Sequence, residues 1–345
     1  MPALTDKAAT ILVTGANGFV GAWVVSKLLN RGYSVRAAVR TQSKGRHLLD
    51  TNSQYGDKLE IAAVGDIATD GAFDEAVKGV DGIIHTASPV TMAADDPKEL
   101  IEPAVNGAVG ILASALKHGS SVKRIVVTSS FSAVIPFPSP PVTITEALWN
   151  DAAVKDCEEN GRNAKPMSKY AASKTLAERA VWAFHKEHKS KVTWDVTVIN
   201  PPFIFGPVVH EVTTPDSLNS STKLFYDGLV KGESHGQDPS KYPDGGWVDI
   251  RDIAEAHIKA LEVPAAGGER VLVIKDTFVW QDFYDIANSL SPKPYHTLAT
   301  GTPGAILVRN RKVNMEKAPR LLGLEYIAAE EMIKDTLADY VRRGW

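Results

Sequence analysis

Two short stretches carry residues able to move a proton onto an oxygen. Tyr170 and Lys174 lie four positions apart in KYAASK, a spacing that puts both side chains on one helical face. Ser129 and Ser130 follow Arg124 to Thr128, an apolar run that reads as a buried strand. A phenol titrates near 10 in water, and a neighbouring ammonium or an oxidised nicotinamide favours its ionised form. Such a phenol can protonate an oxygen that is gaining negative charge. A serine hydroxyl beside it holds that oxygen by a hydrogen bond that strengthens as the charge develops. Reduction of a carbonyl by hydride needs both. The chemistry expected of Ser130, Tyr170 and Lys174 is therefore hydride transfer to a carbonyl, with Tyr170 as proton donor and Lys174 also holding the nicotinamide ribose.

Alone, a Tyr-x-x-x-Lys pair is an ordinary surface feature, so the elements around it decide. Pro166 introduces its helix, and Leu176, Ala177, Ala180, Val181 and Phe184 give that helix a buried stripe. Far upstream, Ile11 to Gly21 reads strand, tight turn, helix, with Gly15, Gly18 and Gly21 at G-x-x-G-x-x-G spacing. Gly15 permits the turn, Gly18 admits a pyrophosphate close to the backbone, and Gly21 allows close packing. The helix start supplies free N–H groups and a favourable dipole. Residues 33–40, 59–64, 82–85, 124–128 and 194–199 read as further strands alternating with helices. This predicts an α/β fold: a doubly wound parallel sheet (Rossmann) with a smaller mixed α/β substrate domain.

The second strand closes on Arg40, with no Asp or Glu between Gly21 and Arg40, and Lys44 and Arg46 follow. An NAD site has an acid there for the ribose hydroxyls; a 2′-phosphate needs cations. The cofactor expected is NADPH/NADP+. Asp66 and Ile67, after the third strand, suit the adenine, although Asp66 reads equally as a helix-capping acid. Thr86, Ala87 and Ser88 are small enough to pass beneath a pyrophosphate, and His85 reads as structural.

The chain has 345 residues, 44% hydrophobic and 23% charged, with net charge −3. This composition fits a globular protein with no electrostatic case for nucleic acid or an acidic membrane. No signal peptide and no uninterrupted apolar run of membrane-spanning length is visible. Cys157 is the only cysteine, which excludes an internal disulfide and a cysteine-based zinc site. A cytoplasmic monomer or homodimer with no metal is expected.

The motifs VTGANGFVG (13–21), VRAAVRTQSK (35–44), HTASP (85–89), PAVNG (103–107), RIVVTSS (124–130), YAASK (170–174), NPPFIFGP (200–207) and GGWVDIRDIAEAH (245–257) occur in that order. Together they resemble the extended short-chain dehydrogenase/reductases, in the dihydroflavonol reductase and cinnamoyl-CoA reductase branch. Within it the chain is most similar to yeast-type NADPH-dependent methylglyoxal/isovaleraldehyde (carbonyl) reductases. The resemblance implies Ser130, Tyr170 and Lys174 as catalytic. It implies Gly15, Asn17, Gly18, Phe19, Val20, Arg40, Lys44, Asp66, Ile67, Thr86, Ala87, Ser88, Pro201, Phe203 and Ile204, with Tyr170 and Lys174, at the cofactor.

Residues 1–200 with about 247–263 should form the cofactor half, and 201–246 with 264–345 the substrate half, interleaved. Between Pro207 and Gly246 six acids face three lysines and no arginine. That segment hosts a nucleotide-sugar diphosphate or coenzyme A poorly, which counts against an epimerase or dehydratase and against a CoA-thioester reductase. Ala171 also stands where cinnamoyl-CoA reductases carry a cysteine. The Phe137 to Pro141 loop offers a flavonol no polar ligand. What remains is an apolar pocket of Val90, Phe131, Ile135, Phe203 and Phe205 for a small carbonyl compound, each residue reading equally as core. Trp247 is read as opening a helix to Leu261, docked on the cofactor half by ion pairs of Asp249, Arg251, Asp252 and His257. Arg270 to Ile274 is read as a strand of the substrate-side sheet.

Overall fold

The computed structural model of the chain describes residues 4–88, 94–135, 142–233, 245–295, 297–304, 309 and 311–345. Among them, seven strands form one sheet whose neighbours are all parallel. These are β1 (Thr10–Thr14), β2 (Ser34–Val39), β3 (Leu59–Ala63), β4 (Gly82–His85), β5 (Arg124–Thr128), β7 (Asp195–Asn200) and β10 (Arg270–Leu272). A two-residue β6 (Thr143–Ile144) pairs apart from them with β12 (Lys312–Val313). The order across the sheet is β10-β7-β5-β4-β1-β2-β3. It reverses between β1 and β4, the kind of switch point at which open parallel sheets bind ligands, at the carboxyl ends of the strands.

A sheet covered on both faces needs no polar side, so its strands read as unbroken apolar runs. Ile11, Leu12 and Val13 are accordingly all buried, as are Ile83, Ile84, Ile125 and Val126. One face packs on α1 (Phe19–Asn30), α2 (Arg46–Thr51), α7 (Ile250–Glu262) and α9 (Lys317–Leu322). The other packs on α3 (Lys98–His118) and α5 (Pro166–His188), and α4 (Asp151–Asn160) leans on α5. By length and hydropathy α3 could cross a membrane, which counting consecutive apolar residues overlooks. Here its Ala104, Ala108, Ile111 and Leu112 fill the core.

The smaller half is built on β8 (Phe203–Phe205), β9 (Gly245–Asp249) and β11 (Asp276–Phe278), in the order β11-β9-β8. With α6 (Ser220–Leu229), α8 (Trp280–Ser289) and α10 (Ala329–Arg342) they enclose an aromatic core. In it Phe278 stacks on Phe283 at 4.5 Å and Phe205 meets Phe225 at 5.3 Å.

Three expectations are corrected. Trp247 to Asp249 is strand, and the helix starts at Ile250 with the Asp249 carboxylate accepting from the Arg251 N–H at 2.7 Å. Arg270 to Leu272 joins the large sheet beside β7, because Val271 and Val273 belong to its core. Residues 264–345 therefore do not lie wholly in the substrate half. The ion pairs also point elsewhere than expected: Arg251 bonds Asp249 at 2.8 Å and Asp335 of α10 at 2.6 Å. Asp252 accepts from the Ile327 N–H at 3.0 Å. Of these four, His257 alone bonds a described strand of the cofactor half, and as a neutral ring. Its Nδ1 donates to the Ile253 carbonyl at 2.7 Å, leaving Nε2 to accept from the Thr128 hydroxyl at 2.7 Å.

Burial lowers the pKa of His257 to about 4, and of His85 to about 3 with help from Lys174. Burial also takes His210 to about 4. Below pH 6.5 the unfolded chain binds protons at these rings that the folded chain refuses, so stability falls on acidification. Asp252, raised to about 6 by burial, works in the opposite sense. Near pH 5 the balance is about two protons, or about 2.7 kcal/mol lost per pH unit. Urea unfolding at pH 7.5 and 5.0 measures it, and a flat profile would contradict these assignments.

Candidate active site

The β1–α1 turn is shaped for a phosphate. Gly15 has φ +63°, and a Cβ there would lie 2.9 Å from the Ala87 backbone. The turn thus presses on the strand-end residues Thr86 and Ala87, themselves tied to Thr14 at 2.7 and 3.2 Å. At Gly21 a Cβ would meet the Gly15 carbonyl oxygen at 2.2 Å, so this glycine closes the helix onto the turn. Gly18 caps α1 without a side-chain bond, leaving the first N–H groups free for an anion. Asn17 is half-buried in the turn. The Phe19 ring lies 5.4 Å from His210 and Val20 packs on the first core. These two can offer a phosphate only backbone N–H groups.

Arg40 directly follows β2, the short turn after it carries Lys44, and Arg46 starts α2; all three are exposed and in no ion pair with a described residue. Unpaired cations clustered at a strand end fit a 2′-phosphate. Asp66 is exposed and accepts from the Ala68 N–H at 3.0 Å within a turn; among the described residues no helix begins there for it to cap, and its second oxygen is left for a ligand. Ile67 sits against α3, 3.2 Å from where a Cβ at Gly107 would be.

The chemistry-bearing residues converge at the carboxyl ends of β4, β5 and β7. Pro166 starts α5, and Lys174 is buried with its Nζ donating to the Ser88 hydroxyl at 2.7 Å. The same ammonium lies 5.7 Å from the centre of the half-buried Tyr170 ring. Ser130 is buried just beyond β5, and its Oγ accepts from the Ser132 N–H at 3.1 Å. That leaves its own proton to donate. The Phe131 N–H donates to the Pro201 carbonyl at 2.8 Å, so β5 and β7 leave the sheet together. His85 contacts Thr14 at 2.9 Å and meets Phe73 edge-on, as a structural residue would.

The apolar pocket is corrected in part. Phe205 is 0% exposed inside the aromatic core, and Ile135 is buried in a small cluster with Phe131. Neither Phe205 nor Ile135 has surface for a ligand, because each is enclosed by its own core. Phe203 is 40% exposed and stacked over Phe205 at 6.0 Å; Ile204 is half-buried against the first core. Val90 and the Phe137 to Pro141 loop lie outside the described residues. Sequence reasoning also passed over Glu178 and Arg270, a buried pair behind Ser130. Glu178 follows Lys174 by four and Tyr170 by eight positions, a spacing that puts it on their face.

Residues 11–274 match the NAD dependent epimerase/dehydratase family. The NADPH-dependent methylglyoxal reductase GRE2 of Saccharomyces cerevisiae is 32% identical over 96% of this chain and 98% of its own. The ketoreductase azaE of Aspergillus niger is 37% identical over 79% of each. The crystal structure of yeast methylglyoxal/isovaleraldehyde reductase Gre2 complexed with NADPH has a TM-score of 0.85 at 32% identity. It covers 97% of this chain and 99% of that one. Vestitone reductase from alfalfa has a TM-score of 0.77 at 27% identity over 97% and 99%. The glycine turn, the parallel sheet and these likenesses agree: the chain belongs to the NAD dependent epimerase/dehydratase family.

Proposed function

We propose that the chain is an NADPH-dependent reductase of small or apolar aldehydes and ketones. The observation that carries this is the buried Lys174 ammonium beside the Tyr170 ring, held on Ser88 just past β4. Arg40 and Lys44 would hold the 2′-phosphate, the free N–H groups of α1 the pyrophosphate, and Lys174 the ribose. NADPH, when bound, supplies the hydride. Ser130 donates a hydrogen bond to the carbonyl oxygen. Tyr170 passes its Oη proton to that oxygen as charge builds, and the Lys174 ammonium stabilises the phenolate left behind. Phe203 offers the substrate an apolar surface. Relatives named as a methylglyoxal reductase and a ketoreductase support the same reaction class.

Incubating the protein with NADPH, aryl ketones and aliphatic aldehydes tests the proposal. It expects alcohol formation with stoichiometric loss of NADPH. Turnover without net loss would mark an isomerase that retains its nicotinamide, and saturable binding without turnover a sensor; either overturns the reading. In the same assay Arg40→Asp should raise the KM for NADPH by about tenfold or more, the loss of one charge-assisted contact. An unchanged NADPH KM with NADH still a poor donor would remove Arg40 from the phosphate site.

A further inference from the structure

Behind Ser130 lies a charged cluster that the reaction above does not use. Glu178 is 2% exposed, and Arg270, Ser129 and Asn200 around it are also buried. One carboxylate oxygen of Glu178, Oε2, accepts from the Ser129 hydroxyl at 2.6 Å and the Asn200 amide at 2.8 Å. Arg270 bonds both Glu178 oxygens through Nε and Nη2. Its remaining donors reach the carbonyls of Ala133 at 3.3 Å, Glu146 at 2.8 Å and Leu148 at 2.5 Å, and its plane stacks 3.7 Å over Trp149. The Asn200 amide that bonds Glu178 also donates to the Ser130 carbonyl at 3.1 Å. The cluster thus clamps Ser130 from two sides: through the neighbouring Ser129 hydroxyl and through its own backbone carbonyl.

A clamp of this kind is costly to bury. A carboxylate and a guanidinium taken out of water gain little net stability even when well paired, and apolar residues would fill the space as well. What the pair supplies is a fixed geometry, because every bond in it has a direction. A hydroxyl that must meet an oxygen as charge develops loses its effect when it is displaced by a fraction of an ångström. A small cavity lined by Ser129, Lys174 and Glu178 adjoins the cluster, so slack introduced at Glu178 has room to reach the catalytic residues.

We propose that Glu178, held by Arg270, is a positioning residue for carbonyl reduction, fixing the Ser130 hydroxyl through Ser129 and Asn200. This rests on Ser130 binding the carbonyl oxygen. The test compares Glu178→Gln, Ser130→Ala and the double variant for kcat, carbonyl KM and NADPH dissociation constant. Glu178→Gln should lower kcat by about tenfold or more, the scale of a misplaced donor, with NADPH affinity unchanged within about twofold. In the double variant the two losses should not multiply: once Ser130 lacks its hydroxyl, Glu178 has nothing left to aim. Multiplicative losses, or a Glu178→Gln enzyme with wild-type kcat, would overturn the inference alone. Wild-type kcat in Ser130→Ala would overturn the reading of the site as well. Should Glu178→Gln fail to fold, Ser129→Ala replaces it in the same cycle, and Ser129→Thr, which keeps the hydroxyl, should restore turnover. A Ser129→Ala loss that Ser129→Thr does not restore, or no loss at all, would likewise overturn it.

Discussion

Tyr170→Phe should reduce kcat for carbonyl reduction by about a hundredfold to ten-thousandfold, the range for losing a positioned general acid. Stability should change little. The phenolic oxygen forms no hydrogen bond with a described residue, and the ring is only half-buried. Deleting one oxygen therefore leaves no buried partner unsatisfied. NADPH affinity should also survive, since the glycine turn and Arg40 are untouched. Single-turnover measurements would separate binding from chemistry. Near-normal turnover in this variant would mean that the proton comes from elsewhere and that Lys174 serves only the cofactor.

Gly267→Ala should destabilise the fold by about 3–5 kcal/mol, the scale for breaking a buried ion pair. Arg124, fully buried at the start of β5, bonds Asp195 at 2.5 and 3.0 Å. Its other donors reach the carbonyls of Ala260 at 2.7 Å, Val263 at 2.6 Å and Pro264 at 3.1 Å. All five N–H groups of the guanidinium are thereby used. A Cβ on Gly267 would stand 2.0 Å from an Asp195 oxygen and 2.6 Å from Arg124 Nη2, so the pair must separate. Asp195 would then be a buried charge without its partner, and the end of α7 would lose its cap. Denaturant unfolding of Gly267→Ala and of Arg124→Leu reads this directly. A loss below about 1 kcal/mol would show that the pair can re-form around the methyl group.

Much of the fold was legible because the relevant signals are local. β4 and β5 lie where the apolar runs place them, and Pro166 marks the start of α5. The turn glycines could be read because each meets a steric demand that other residues cannot. Signals that depend on distant partners were not local. Arg270 opens an apolar run whose pairing strand lies some seventy residues upstream, as its register with Val198 shows, so its sheet could not be read from its own neighbourhood. Phe203 and Phe205 are two positions apart and share one face of β8, their rings stacked, yet the outer ring is left at the surface while the inner one is enclosed by the aromatic core. The sequence offers two identical residues, and only the packed sheet tells them apart.

The late return of β10 to the large sheet bears on how the protein can be dissected. A fragment ending before residue 264 would keep the fingerprint turn, Tyr170 and Lys174 yet lack Arg270. Its outermost strand, β7, would present bare backbone along its free side, and Glu178 would be left inside as an anion with no counter-ion. Gene fusions, circular permutants and split reporters built on this scaffold therefore need a break elsewhere than at the apparent border between the halves. Limited proteolysis should likewise yield no autonomous nucleotide-binding piece.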